Sequence, residues 1–182
     1  MPIRKVLVPI DFSPASSAAL RYGKDFAERF GATVHVLHAW EVPVYLRPDL
    51  TIWSGELRTT VEDHVQSDAE NQMKTFFADA GMTPGPGVTA QVTLGIPEAA
   101  ILGIAEEGAF DLIVMGTHGR TGLAHVLLGS VAEHVVRRAT CPVLTVRAIP
   151  AGENEAKRAQ GRPVDGRTRE GSSRASADSH VG

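Results

Sequence analysis

Short apolar runs alternate with stretches of helical periodicity along most of this chain. Val6-Leu7-Val8-Pro9-Ile10 is apolar throughout, as a strand covered on both faces must be. Asp11-Phe12-Ser13-Pro14 then starts a helix, with Ser13 as N-cap and Pro14 at the first helical position. Ala18, Tyr22, Phe26 and Phe30 recur at helical spacing, and Gly31 supplies the stop. Thr33 to Ala39 reads as a second strand, followed by an irregular segment from Glu41 to Trp53. Leu57, Val61, Val65, Ala69, Met73, Phe76 and Phe77 predict a long helix from about Ser54, ended by Gly81.

Thr83-Pro84-Gly85-Pro86-Gly87 is a turn cluster. Val88 to Leu94 alternates as a third strand, and Gly95-Ile96-Pro97-Glu98 opens a short helix ending near Gly108. Leu112 to Met115 is the fourth strand. A glycine-bearing loop and a helix over Val131 to Arg138 follow, stopped at Cys141-Pro142, and Val143 to Val146 is the last strand. This β-α-β-α-β-α-β-loop-α-β order implies right-handed crossovers and an α/β fold, a doubly wound parallel sheet with helices on both faces.

Beyond about Ala148 the pattern stops. Ile149, Val164 and Val181 are the only large apolar residues left among Gly, Ser, Glu and Arg, too few to offset the entropy of ordering. The expected organisation is a folded domain over residues 1–147 and a disordered polar tail over 148–182. The whole chain, at 182 residues, suits one domain with a proper core. A formal net charge of −3 supplies no basic field for nucleic acid. No apolar stretch has the length of a bilayer span, so no membrane partner is expected. The N-terminus carries no signal-peptide pattern, and the single cysteine, Cys141, excludes an internal disulfide framework. These features point to a cytoplasmic protein.

Candidate chemistry concentrates after the fourth strand. Gly116-Thr117-His118-Gly119, nine further residues and Gly129-Ser130 place a glycine-punctuated loop between a buried strand and a helix start. Glycines permit φ > 0 and close approach of backbone to a phosphate, and a helix start offers unpaired N–H groups at a positive dipole end. In open α/β sheets ligands bind beyond the carboxyl ends of the strands where strand order reverses. Asp11, just past the first strand, would face Gly116, just past the fourth, setting a carboxylate for a ribose hydroxyl opposite a phosphate loop. Neither a G-x-x-x-x-G-K-[ST] P-loop nor a G-x-G-x-x-G after the first strand is present.

Val8-Pro9-Ile10-Asp11-Phe12-Ser13, His38-Ala39, Gly116-Thr117-His118-Gly119-Arg120 joined to Gly129-Ser130-Val131, and Cys141-Pro142-Val143-Leu144-Thr145-Val146 together resemble the universal stress protein family. The resemblance spans residues 2 to 147, and the family's ATP-binding pattern G-x2-G-x9-G-[ST] fits without a gap. It implies strand order 3-2-1-4-5, adenine-nucleotide binding, and a homodimer through the last strand, Val143 to Val146. It further implies that Pro9, Asp11 and Ala39 line the adenosine end, Asp11 meeting the ribose and the Ala39 backbone the adenine. Met115, Gly116, Gly119, Gly129, Ser130 and Val131 would surround the phosphates and ribose. His118 and Arg120, from their loop position, would add positive charge near the phosphates. The implied ligand is ATP, with Mg2+ as an optional companion.

Plainer readings of the same residues stand beside these. Gly116 and Gly119 could simply turn the chain after a strand. Ser130 and Glu133 form an S-x-x-E capping box, which would account for Ser130 without a phosphate. Asp11 could be a local cap of the first helix. Three functions follow: a dimeric ATP-binding stress-response module, an enzyme that hydrolyses or transfers from the nucleotide, and an interaction protein with an empty site. The lack of a Walker lysine and of a second carboxylate beside the γ-phosphate favours binding over phosphoryl transfer. His35 and His38, three apart on a strand, point to opposite faces and cannot share a metal.

Overall fold

The computed structural model describes residues 2–41, 47, 49–54, 57–117 and 128–148. Of the residues singled out in the sequence, His118, Gly119, Arg120 and the segment 149–182 lie outside the described residues. The chain divides into a unit from Met1 to Ala148 and a second from Ile149 to Gly182.

The first unit is built on a five-stranded sheet. In chain order its elements are β1 (Lys5–Pro9), α1 (Pro14–Phe30), β2 (Thr33–Trp40), a hairpin of β3 (Thr51–Ser54) and β4 (Leu57–Thr60), and α2 (Val61–Asp79). There follow β5 (Val88–Leu94), α3 (Pro97–Glu107), β6 (Leu112–Gly116), α4 (Ser130–Arg138) and β7 (Val143–Val146). The main sheet is ordered β5-β2-β1-β6-β7, every pairing parallel. Counting only its own strands in chain order, this is the expected 3-2-1-4-5.

Alternation along β1 sorts the core into two layers. Val6, Val8 and Ile10 join Ala18, Ala19 and Leu20 of α1 and Met73, Phe76 and Phe77 of α2 on one face. Leu7 joins Ile101 and Ala105 of α3 and Ala132 and Val135 of α4 on the other. Leu7 and Ile113 are fully buried, each contributing on the order of 1.5–3 kcal/mol of apolar burial. α1 lies very close to the sheet, since a Cβ at Gly23 would meet Val8 Cγ2 at 2.7 Å. The face of α1 that enters the core is therefore the small one around Ala15, Ala19 and Gly23, while Tyr22 and Phe30 of the expected apolar stripe stand exposed.

The caps follow the sequence signals at α1. Ser13 accepts the Ser16 amide, Pro14 opens the helix, and Gly31 closes it at φ 65°. The next helix departs from expectation. Instead of running from about Ser54, it begins at Val61, and the residues before it form the β3–β4 hairpin, paired from Thr51↔Thr60 to Ser54↔Leu57. Thr60 is its N-cap, accepting the Asp63 amide at 3.0 Å. The hairpin takes β-branched Thr59 and Thr60 into a strand, where they pack better than in a first helical turn. Among the described residues no helix is long and apolar enough to cross a membrane.

Candidate functional site

β1 and β6 are neighbours at the centre of the sheet, with the chain leaving to β2 on one side and β7 on the other. A crevice opens at the carboxyl ends of such a pair because the following connections diverge. Here it is a cavity of about 270 Å3. Its walls include Pro9 and Asp11 after β1, Leu37 and Ala39 of β2, Pro97 and Ile101 of α3, Met115, Gly116 and Thr117 after β6, and Gly129 to Ala132 at the start of α4. Its size lies near the lower end of small-molecule sites, roughly 300 Å3.

Of the expected site residues, Pro9, Asp11, Ala39, Met115, Gly116, Gly129, Ser130 and Val131 line this one cavity. His118, Gly119 and Arg120 lie outside the described residues. Ile10, Ser16, Leu37, Pro97, Ile101, Thr117 and Ala132 line it as well and were not singled out from the sequence. Thr117 lay inside the quoted motif. Ser16 carried a signal too, five residues after Asp11 and so on the first turn of the helix that the aspartate precedes. Leu37, Pro97 and Ile101 read as ordinary core, since nothing in their local pattern marks a cavity wall.

The cavity is chemically lopsided. Leu37, Ala39, Pro97, Ile101 and Met115 make an apolar wall, and Asp11 is the one carboxylate among the described lining residues. The first turn of α4 also lines the cavity. Gly129 is its N-cap, and no side chain caps it. The expected Ser130–Glu133 capping box is absent. Ser130 is the first helical residue rather than the cap, and the Glu133 carboxylate turns to Arg137 Nη2 at 2.8 Å, one helical turn on. The Gly129 amide donates to the Thr117 carbonyl at 2.7 Å, and the first bond of the helix runs from the Glu133 amide to the Gly129 carbonyl at 2.8 Å. The N–H groups of Ser130, Val131 and Ala132, which begin the helix, therefore have no intrahelical acceptor and border the cavity. A partial positive charge collects there.

Gly129 also departs from expectation. Its φ is −70° and ψ 158°, an extended conformation open to any residue. Gly116, the last residue of β6, is likewise not among the described glycines with positive φ. What these two positions offer is the absence of a side chain beside the cavity, rather than a left-handed turn.

Asp11 is half-buried, and the plainer reading of it holds in part. Its Oδ1 accepts the Ser13 amide at 3.1 Å, so it does help to start α1. Phe12, between them, takes φ 64°, a left-handed conformation rare outside glycine and found preferentially at ligand-binding turns. The Phe12 ring packs on buried His38 at 4.3 Å, and His38 Nδ1 is 2.9 Å from the Ile10 carbonyl. His35 points to the other face, with Nδ1 2.7 Å from Thr89 Oγ1 and Nε2 3.1 Å from Gln91 Oε1. The two histidines are thus separated by the sheet, and no group of three His, Cys, Asp or Glu suited to a metal ion occurs among the described residues.

Sheet order and switch-point crevice define a doubly wound α/β domain with a cavity between its first and fourth main-sheet strands. A family model described as "Universal stress protein family" matches residues 2–147. The universal stress protein MJ0577 of Methanocaldococcus jannaschii is 32% identical over 157 residues, covering 79% of this chain and 94% of its own length. A universal stress protein of Thermus aquaticus is 34% identical over 145 residues, covering 79% and 98%. Among solved structures, the universal stress protein UspA of Lactobacillus plantarum superposes with a TM-score of 0.63 at 26% identity, over 81% of this chain and 99% of that one. A universal stress protein solved in complex with cAMP superposes at 0.52 with 25% identity, over 82% and 100%. The chain belongs to the universal stress protein family.

Proposed function

We propose that this chain is an adenine-nucleotide-binding stress-response module that holds ATP, with or without Mg2+, in the crevice between β1 and β6. The observation that carries the reading is the cavity's two-ended chemistry. An apolar wall of Leu37, Ala39, Pro97, Ile101 and Met115 suits a flat heterocycle. A carboxylate at Asp11 suits ribose hydroxyls, and the open first turn of α4 suits phosphate. The family relative solved with cAMP supports the same ligand class.

In this reading Pro9, Asp11 and Ala39 serve the adenosine end. Met115, Gly116, Gly129, Ser130 and Val131 serve the ribose and phosphates, joined by Gly119 and by the positive charge of His118 and Arg120. Binding rather than turnover is the function, because the one carboxylate on the described wall already accepts the Ser13 amide and stands at the ribose end. Mg2+, when present, rides on the phosphates. β7, at the edge of the main sheet, pairs with its counterpart in a homodimer, which removes an exposed strand edge. Residues 148–182 form a polar tail outside the binding domain.

Mass spectrometry of nucleotide extracted from the freshly purified protein tests the reading. An adenine nucleotide in stoichiometric amount, unchanged over hours with magnesium, is the expected result. Its absence, together with no heat on titration with ATP, would overturn it.

A further inference from the structure

Ser16 sits on the first turn of α1, is 3% exposed, and lines the cavity beside Asp11. Its hydroxyl makes two bonds to one residue. Ser16 Oγ donates to Asp11 Oδ1 at 2.5 Å and accepts the Asp11 amide at 3.0 Å. The Ser16 amide in turn donates to Ser13 Oγ at 3.2 Å. An ordinary capping box would send the third helical residue back to the amide of the N-cap. Here that amide, on Ser13, is taken by Asp11 Oδ1 at 3.1 Å, and Ser16 reaches two residues farther, to Asp11 itself. The hydroxyl's two shorter bonds go to the aspartate, while the hydroxyl of the cap, Ser13, donates to it at a longer 3.4 Å.

That arrangement has a consequence for the carboxylate. A free aspartate samples several staggered rotamers and a broad terminal torsion. Closing a ring through its own amide and one carboxylate oxygen selects a single placement, and a charge-assisted O–H···O bond is among the stronger ones available. The left-handed turn at Phe12, φ 64°, holds the same placement from the backbone side. We infer that Ser16 is a positioning residue, whose hydroxyl fixes the Asp11 carboxylate in the orientation that receives the ribose hydroxyls of a nucleoside. The inference rests on the proposed nucleotide reading for its ligand, and on the geometry alone for the Ser16–Asp11 coupling.

The test has a ligand arm and a ligand-free arm. Alanine is the better helix former, so Ser16→Ala keeps α1. In calorimetric titrations it should weaken adenosine about tenfold, the loss of a hydrogen bond to a charged group, and leave adenine within about twofold. In an Asp11→Ala background, Ser16→Ala should add no more than about twofold, because nothing remains to position. Ser13→Ala removes the helix cap but keeps the Ser16–Asp11 bond; it should lower Tm with adenosine affinity within about twofold. Without ligand, the Asp11 carboxyl 13C resonance should move in Ser16→Ala and stay in place in Ser13→Ala. Parent-like adenosine binding by Ser16→Ala, additivity with Asp11→Ala, or an unmoved resonance would overturn the inference. A parent protein that binds no adenosine would instead overturn the nucleotide reading, and the resonance then decides the Ser16–Asp11 coupling on its own.

Discussion

The amide of Gly129 donates to the carbonyl of Thr117 at 2.7 Å, pinning together the two ends of the glycine loop. Thr117 is itself anchored, its amide donating to the Val146 carbonyl at 2.9 Å and its hydroxyl to the same oxygen at 3.4 Å. β6, β7 and the start of α4 are thereby fixed to one another at the crevice, whatever course the intervening residues take. The first turn of α4, whose N–H groups lack intrahelical acceptors, is thus held in place at the cavity before any proposed ligand arrives.

Gly129→Val tests the space beside that wall. Its extended φ of −70° accepts valine, and its amide bond to Thr117 survives the change. Losing a tolerated N-cap residue costs about 1 kcal/mol, a few degrees in Tm. ATP binding should fall much further, tenfold or more, for an overpacking cost of about 1–3 kcal/mol at the ligand. Calorimetry beside thermal denaturation separates the two effects. Parent-like ATP affinity would remove Gly129 from the site.

Asp11→Ala should weaken adenosine and ATP by the same factor, about 10–100-fold, as expected for a lost hydrogen bond to a charged acceptor. Parallel titrations with the two ligands read this directly. A loss confined to ATP would move Asp11 from the ribose to the phosphate end.

Asp111 predicts an acid limb in stability that is independent of the site. Its Oδ2 accepts the Arg4 amide at 2.8 Å and the Lys5 amide at 3.0 Å, tying the turn after α3 to the start of β1. The Arg4 amide first, then that of Lys5, holds its carboxyl below the usual range. The folded form thus favours the ionised acid. The stabilisation is complete above the unfolded value near pH 4, and is lost as pH falls through the lower folded value. Asp111→Asn should lower Tm at neutral pH and flatten its decline below about pH 4. An unchanged acid limb would show that the tether is not felt.

Much of the fold was legible because its signals are local. Ser13-Pro14, Gly31 and the turn cluster from Thr83 to Gly87 punctuate the chain with residues whose backbone preferences leave little choice, and the structure follows them. The β3–β4 hairpin was not legible, because Leu57 and Val61 also satisfy a helical period. The Thr60–Asp63 cap that marks the true helix start sat inside the apolar pattern. α1 misled in another way. Its aromatics Tyr22 and Phe30 suggested the buried face, whereas close packing against Val8 favours the alanine and glycine side.

The site divides along the same line. Residues flanking the ends of β1 and β6 were legible, since topology brings Asp11 and Gly116 together and the family resemblance adds Pro9 and Met115. The wall contributed by Leu37, Pro97 and Ile101 was not, because a side chain lining a cavity and one filling a core have the same sequence character. Ser130 lines the cavity as expected, and its alternative reading as a capping box fails because Gly129, one residue earlier, is the N-cap.

Calorimetric titration of the nucleotide-stripped protein with ATP, and with GTP as comparator, addresses the crevice between β1 and β6 most directly. One ATP per chain should bind, GTP at least tenfold more weakly, and Gly129→Val should weaken ATP about tenfold or more while the protein stays folded. No ATP heat from the folded parent, or ATP heat undiminished in Gly129→Val, would contradict a nucleotide site at the start of α4.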